Sequence, residues 1–290
     1  MKELLSRVKH IEITAKERVL DLFSGMYHSA FKGKGIEPED LREYVAGDDI
    51  RAISWPKTAQ TGKLFVKNFR EERDLTVFLI VDISASQFFG SHYETKRERI
   101  AEVGAVLALS AIYNQDRVGL ILFSSGTEKY IPPKRGTRHG ARIIRELLAF
   151  EPTEKGTDIA QALQFFNKVT KKRSIAFLLS DFLAPSSSYK KEFMLTSSKH
   201  DVVALCISDP EEKNLSIQGL VRFIDAETGA HKVVDLNNTI KQQVSKERED
   251  EERDLKTLIG KSGAGIISID TKNPYETALE KFFTLRKKRH

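Results

Sequence analysis

The chain has 290 residues, long enough for about two domains of average size and for a full apolar core without disulfide or metal staples. A single cysteine excludes a disulfide framework and any cysteine-based zinc site, and no apolar run approaches the roughly 20 residues that a membrane helix needs. The excess of 47 basic over 41 acidic residues is mostly interleaved with acids and carries no alternating aromatic and basic residues, so nucleic acid is not an expected partner. The first ten residues contain no apolar core of the signal-peptide kind, and a cytoplasmic location is the expectation.

In chain order, the first element is an amphipathic helix over about Leu4 to Phe23. A Gly-rich loop and a strand-like segment, Lys63 to Lys67, follow. Residues 1–74 are too few for a core of their own and are expected to pack on what comes after. Gly47-Asp48-Asp49 reads as a tight turn leading to a buried Trp55 anchor.

From Leu75 the pattern alternates. Leu75 to Val81 is a nearly continuous apolar strand, as in a parallel sheet covered on both faces. Arg97 to Asn114 is a helix, Arg117 to Phe123 a strand, and Glu128 to Ile131 a short strand at the sheet edge. Helices at Arg138 to Phe150 and Asp158 to Lys171 precede strands at Ser174 to Leu179 and Asp201 to Ile207. The last strand is Gly265 to Ile269, and Tyr275 to Leu285 closes the fold as a helix. This is the signature of an α/β fold with a doubly wound, mostly parallel sheet, occupying residues 75–290. An insertion at about 210–260 interrupts the alternation. It holds a hairpin from Leu220 to Leu236, turned near Gly229, and a charged helix over Asn237 to Ile259. The charge run there reads as a solvated face of mixed-sign pairs, with an interaction surface as the alternative.

Enzyme signatures fail on inspection. Gly260-Lys261-Ser262 lacks the earlier glycine of a phosphate loop, and Gly263-Ala264-Gly265 precedes a strand where a dinucleotide fingerprint follows one. The seven histidines show no metal-ligand spacing, and Cys206 in its apolar strand reads as core. Asp82-Ile83-Ser84-Ala85-Ser86 is different, because it ends the first buried strand, and ligands of open α/β sheets bind beyond such carboxyl ends. Ser180-Asp181 ends a second strand, and Gly156-Thr157-Asp158 opens a helix. Taken alone, the first motif reads rather as a strand end with helix-capping serines. Together, Asp82, Ser84, Ser86, Thr157 and Asp181 form a set of hard oxygen donors suited to Mg²⁺, with Mn²⁺ or Ca²⁺ as alternatives.

This constellation resembles the metal-ion-dependent adhesion site of von Willebrand factor A domains. Tyr44-Val45-Ala46-Gly47-Asp48-Asp49-Ile50-Arg51, Trp55, Thr58-Ala59 and Phe65-Val66-Lys67 narrow the likeness. With Asp116-Arg117-Val118-Gly119 and Asp209-Pro210-Glu211, they resemble a bacterial A-domain family known as domain of unknown function fifty-eight, over about residues 20 to 285. Ser54, Gln60 and Ala85 depart from the family's usual Asp or Asn, Arg and Gly, and none of these changes removes an oxygen donor. The resemblance implies a non-enzymatic, metal-dependent protein-binding module. It also implies a MoxR-type AAA+ ATPase or its client protein as the partner, supplying a carboxylate to the ion. The alternative is a Mg²⁺-dependent phosphatase-like hydrolase with Asp82 as nucleophile. It is disfavoured because Ser84 stands where the second acid of such enzymes is needed.

Overall fold

The structure, a computed structural model, describes residues 24–31, 38–69, 75–91, 94–213, 215–225 and 229–289. The expected helix over Leu4 to Phe23 lies outside these residues. Helix α1 (Ser24–Phe31) comes first. An antiparallel ribbon of β1 (Pro38–Glu43) and β2 (Phe65–Phe69) encloses a 3₁₀ turn at Ile50–Ala52 and helix α2 (Trp55–Thr61). The main sheet contains β3 (Thr76–Asp82), β4 (Arg117–Phe123), β5 (Thr127–Lys134), β6 (Ile175–Ser180), β7 (Asp201–Ser208) and β10 (Gly265–Asp270). Its helices are α3 (Lys96–Tyr113), α4 (Thr137–Ala149), α5 (Ile159–Val169), α6 (Ser186–Lys199), α8 (Asn238–Ser262) and α9 (Tyr275–Arg289). A short α7 (Pro210–Lys213) and a hairpin of β8 (Gly219–Ile224) and β9 (His231–Leu236) fill the connection from β7 to α8.

The six strands lie in the order β10-β7-β6-β3-β4-β5, all parallel except β5, which runs antiparallel to β4 at the edge. Pro132 and Pro133 sit in that edge strand, where one missing N–H falls on the open side and the other coincides with the register shift opposite Val118 to Leu120. The chain enters at the centre with β3, winds outward through β4 and β5, then returns to β6 and winds the other way. The direction therefore reverses between β3 and β6, and the crevice beyond their carboxyl ends is the natural binding position.

Strand periodicity splits β3 between two cores. Val77, Leu79 and Val81 face α1, α3, α4 and α9, whereas Phe78 and Ile80 face α5, α6 and the C-terminal part of α8. Gly119, opposite Phe78 in β4, makes room for that ring: a Cβ there would lie 2.6 Å from it. The ring in turn meets Phe166 edge-on at 5.2 Å. Helix α3 starts at a Thr95–Glu98 capping box and is buried along most of its length. Tyr27 and Ala30 of α1 are buried, Tyr27 against Phe31 and Phe283.

Several expectations need correction. Trp55 is 65% exposed and anchors no core; the turn before it is held instead by Asp48, which accepts from Val45 N and from both Arg42 Nη atoms. Helix α6 was not anticipated, because Ser186-Ser187-Ser188 hides the Tyr189, Phe193 and Thr196 stripe that it buries. Cys206 is half-buried at the rim of the second core. The expected charged helix exists as α8, and its exposed turns carry Arg248–Glu251, Asp250–Arg253 and Glu252–Lys256 pairs, each contributing only a few tenths of a kcal/mol.

Candidate functional site

Asp82 is the last residue of β3 and is 1% exposed. The chain then turns, and the Ser84 amide donates to Asp82 Oδ1 at 2.9 Å. Ser180, the last residue of β6, donates its hydroxyl to Asp82 Oδ2 at 2.6 Å, joining the two strands across the reversal point. The Ser84 and Ser86 hydroxyl oxygens lie 3.1 Å apart, and Ser86 Oγ donates to Asp181 Oδ2 at 2.8 Å. Asp82, Ser84, Ser86 and Asp181 are thus joined by consecutive hydrogen bonds, the first through the Ser84 amide and the others between side-chain oxygens.

Thr157 arrives from another direction. Gly156 takes a φ of 97°, which favours glycine, and the Asp158 amide donates to Ser124 O just beyond β4 at 2.7 Å. Asp158 then caps α5 through Gln161 N. This holds Thr157 at the same sheet edge, where it lines one groove with Ser86 and Asp181. The groove has a volume of about 1100 Å³, and its far wall is made by Phe223 and Val233 of the hairpin and Val244 of α8. All five residues singled out from the sequence therefore border the carboxyl edge of β3, β4 and β6.

Three participants escaped the sequence reading. Ser180 was seen only as the neighbour of Asp181. Lys96, the first residue of α3, is wholly buried, and its Nζ donates to Asp181 Oδ2 at 2.7 Å and to Glu212 Oε1 at 2.6 Å. Glu212, from α7, also accepts from the Asp209 amide. Asp209 is fully buried and accepts from Ser91 N, Ser91 Oγ, Thr271 Oγ1 and Glu211 N. The signal for Glu212 was present in Asp209-Pro210-Glu211, one residue short. Lys96 lay just before the expected helix start and carried no motif.

The electrostatics follow from burial. Loss of solvent pushes the Asp82 carboxyl up to about 6, aided by the charge on Asp181 and opposed by the Ser180 and Ser84 hydrogen bonds. Burial pulls Lys96 down, but Asp181 and Glu212 outweigh it and leave the ammonium held above its ordinary value. Burial also raises Asp209, yet its four donors win and keep it below the usual carboxylate range. Phe182, directly after Asp181, has a φ of 54°, unusual for a bulky side chain; its amide donates to Ser180 Oγ at 3.1 Å.

Among the described residues, no group of three or more His, Cys, Asp or Glu is arranged to hold a metal ion. The donor set at this edge is of another kind, two carboxylates with hydroxyls between them. Hydroxyl and carboxylate oxygens are the donors that a small hard cation takes, and Ser84 Oγ, Ser86 Oγ and Asp181 Oδ2 stand in one hydrogen-bonded run. In donor chemistry the residues fit such an ion.

The family described as "Protein of unknown function DUF58" matches residues 40–254, and that span includes every residue of the site. The chain belongs to the DUF58 family. An uncharacterized protein of Mycobacterium tuberculosis is 24% identical over 288 residues, covering 99% of this chain and 90% of the relative. The uncharacterized protein YeaD of Bacillus subtilis is 31% identical over 108 residues, 37% of this chain and 25% of that one. Among solved structures, an aerotolerance-related membrane protein from Bacteroides fragilis matches with a TM-score of 0.50 and 19% identity, covering 74% of this chain and all of that one. A von Willebrand factor type A protein from Catenulispora acidiphila matches at 0.43 and 13%, covering 74% and 42%. For this DUF58 protein, the mixed α/β fold rests on its own strand order and on the first of these two likenesses. Among the described residues no helix is long and apolar enough to cross a membrane.

Proposed function

We propose that this DUF58 protein is a non-enzymatic protein-interaction module of the von Willebrand factor A type. In this reading Asp82, Ser84, Ser86, Thr157 and Asp181 hold one divalent cation, Mg²⁺ in the first instance, with Mn²⁺ or Ca²⁺ able to replace it. When bound, the cation supplies a Lewis-acidic position for an anionic oxygen from outside. The observation that carries the reading is the hydrogen-bonded run from Asp82 to Asp181 at the strand-order reversal, whose outer end, Ser86 and Asp181, lines a groove of about 1100 Å³ together with Thr157.

The chain's own residues have separable tasks. Ser180 and the Ser84 amide orient Asp82, so both of its oxygens are spoken for. The hydrolase alternative stays disfavoured because Ser84 stands where such an enzyme needs its second acid. Ser86 and Thr157 add neutral oxygens without adding charge, which preserves the site's attraction for a carboxylate. The apolar hairpin wall would receive whatever flanks that carboxylate on the partner. The family resemblance makes a MoxR-type AAA+ ATPase or its client the proposed donor.

The test is the affinity for a purified MoxR-type ATPase of wild type and Asp181→Ala, each with Mg²⁺ and with chelator. The reading expects tight binding only for wild type with Mg²⁺. Equal affinity in all four conditions would remove the metal site from the partnership.

A further inference from the structure

One of the proposed cation ligands, Asp181, already has a positive charge against it. Lys96 extends from the first turn of α3, and its ammonium reaches the same Asp181 oxygen that Ser86 touches. Asp181 Oδ2 accepts both bonds, and Asp181 Oδ1 faces the Leu183 amide at 3.3 Å. A divalent ion that uses Oδ2 must therefore replace one of two donors. The serine hydroxyl can turn and offer its lone pair. The ammonium has no lone pair and repels the ion. It does, however, have a second acceptor, because Glu212 Oε1 is 2.6 Å away and is itself positioned by the Asp209 amide.

We propose that Lys96 is a tethered competitor of the divalent cation: it holds Asp181 when the ion is absent and is handed to Glu212 when the ion enters. The proposal rests on the metal-site reading above and adds its regulation. Lys96, Asp82, Asp181 and Glu212 together carry two net negative charges when all are ionised. The divalent ion brings the cluster to neutrality only if the ammonium stays, and Glu212 is what lets it stay without Asp181. The cost of this device is a lowered metal affinity, which makes occupancy sensitive to anything that also pulls on Lys96 or α7.

The test is Mn²⁺ binding, followed by calorimetry and by the electron paramagnetic resonance of free Mn²⁺. The chains are wild type, Lys96→Met, Lys96→Arg, the charge-balanced double variant Lys96→Met/Glu212→Gln, and Lys96→Met/Asp82→Ala. Removing the competitor should tighten Mn²⁺ at least tenfold in Lys96→Met, whereas Lys96→Arg should stay within about threefold of wild type. Lys96→Met leaves two acids unpaired and can fail to fold. The double variant removes one charge of each sign and should show the same tenfold gain. The gain should vanish with Asp82→Ala. If wild type binds Mn²⁺ and neither Lys96→Met nor the double variant binds it more tightly, the competitor role is wrong and the metal site stands. Tightening in Lys96→Met but weakening in the double variant would make Glu212 a direct ligand and overturn the hand-over. Binding by none of the chains, or binding that survives Asp82→Ala unchanged, would overturn the proposal and the metal site together.

Discussion

Replacing Asp82 with Asn should stabilise the metal-free protein at neutral pH, although it removes a residue of the candidate site. Asp82 carries a carboxyl pushed up to about 6 from an ordinary 3.8, by burial first and by Asp181 second. A group raised in the folded state contributes stability that is full below its unfolded value and is lost as pH rises through its folded value. Here the loss runs from about pH 4 to about pH 6, and it levels off near 3 kcal/mol above that window. Asn keeps the size and can still accept from the Ser84 amide, while its amide nitrogen can donate to Ser180 Oγ. Urea unfolding in chelator at pH 5 and pH 8 reads the effect. The variant's advantage should approach 3 kcal/mol at pH 8, with about half of it present at pH 5. An advantage that does not grow with pH, or a less stable variant at pH 8, would refute the assignment of a charge cost to Asp82.

Other expectations follow from the same structure. Millimolar Mg²⁺ or Mn²⁺ should raise the Tm of wild type by about 4 to 5 °C when the ion is at 100 times its Kd, and calorimetry of Asp82→Ala should show no rise. Thr157→Ala should weaken metal binding and cost no more than about 1 kcal/mol in urea unfolding with chelator, since Thr157 is a half-buried groove residue outside both cores. Asp209, held below the usual carboxylate range, contributes stability that is present at neutral pH and lost as pH falls below about 4; Asp209→Asn should flatten that acid limb in pH-dependent unfolding. Gly119→Ala should cost about 1–3 kcal/mol in urea unfolding, because the new methyl overlaps the buried Phe78 ring.

The legible part of the fold was the part governed by apolar runs. β3, β4, β6 and β7 are buried along nearly all their length, and each reads directly as a run dominated by Val, Ile, Leu, Phe and Ala; β10, at the sheet edge with Ser268 exposed, reads as a shorter run of Ile. The Asp82 and Asp181 positions came with them, since a carboxylate ending such a run marks the sheet edge. Helix α6 was illegible because its buried stripe is only three residues, spaced among Ser and Lys that local reading assigns to a loop. Trp55 misled for the opposite reason, as a large aromatic in a short segment with too little neighbouring surface to bury it. Lys96 and Glu212 are joined across 116 residues by one hydrogen bond, and nothing local in either neighbourhood announces it. Hydroxyls and carboxylates at strand ends have a periodic context, whereas a lysine at a helix start does not.

The central claim is that the edge from Asp82 to Asp181 holds one hard divalent ion. Calorimetric titration of the metal-free protein with Mn²⁺ tests it most directly, run on wild type, Asp82→Ala and Asp181→Ala with the fold of each checked by circular dichroism. The account predicts one ion per wild-type chain, displaced by excess Mg²⁺ and absent from both variants. Titrations of folded protein that show no uptake, or the same uptake in all three chains, would contradict it.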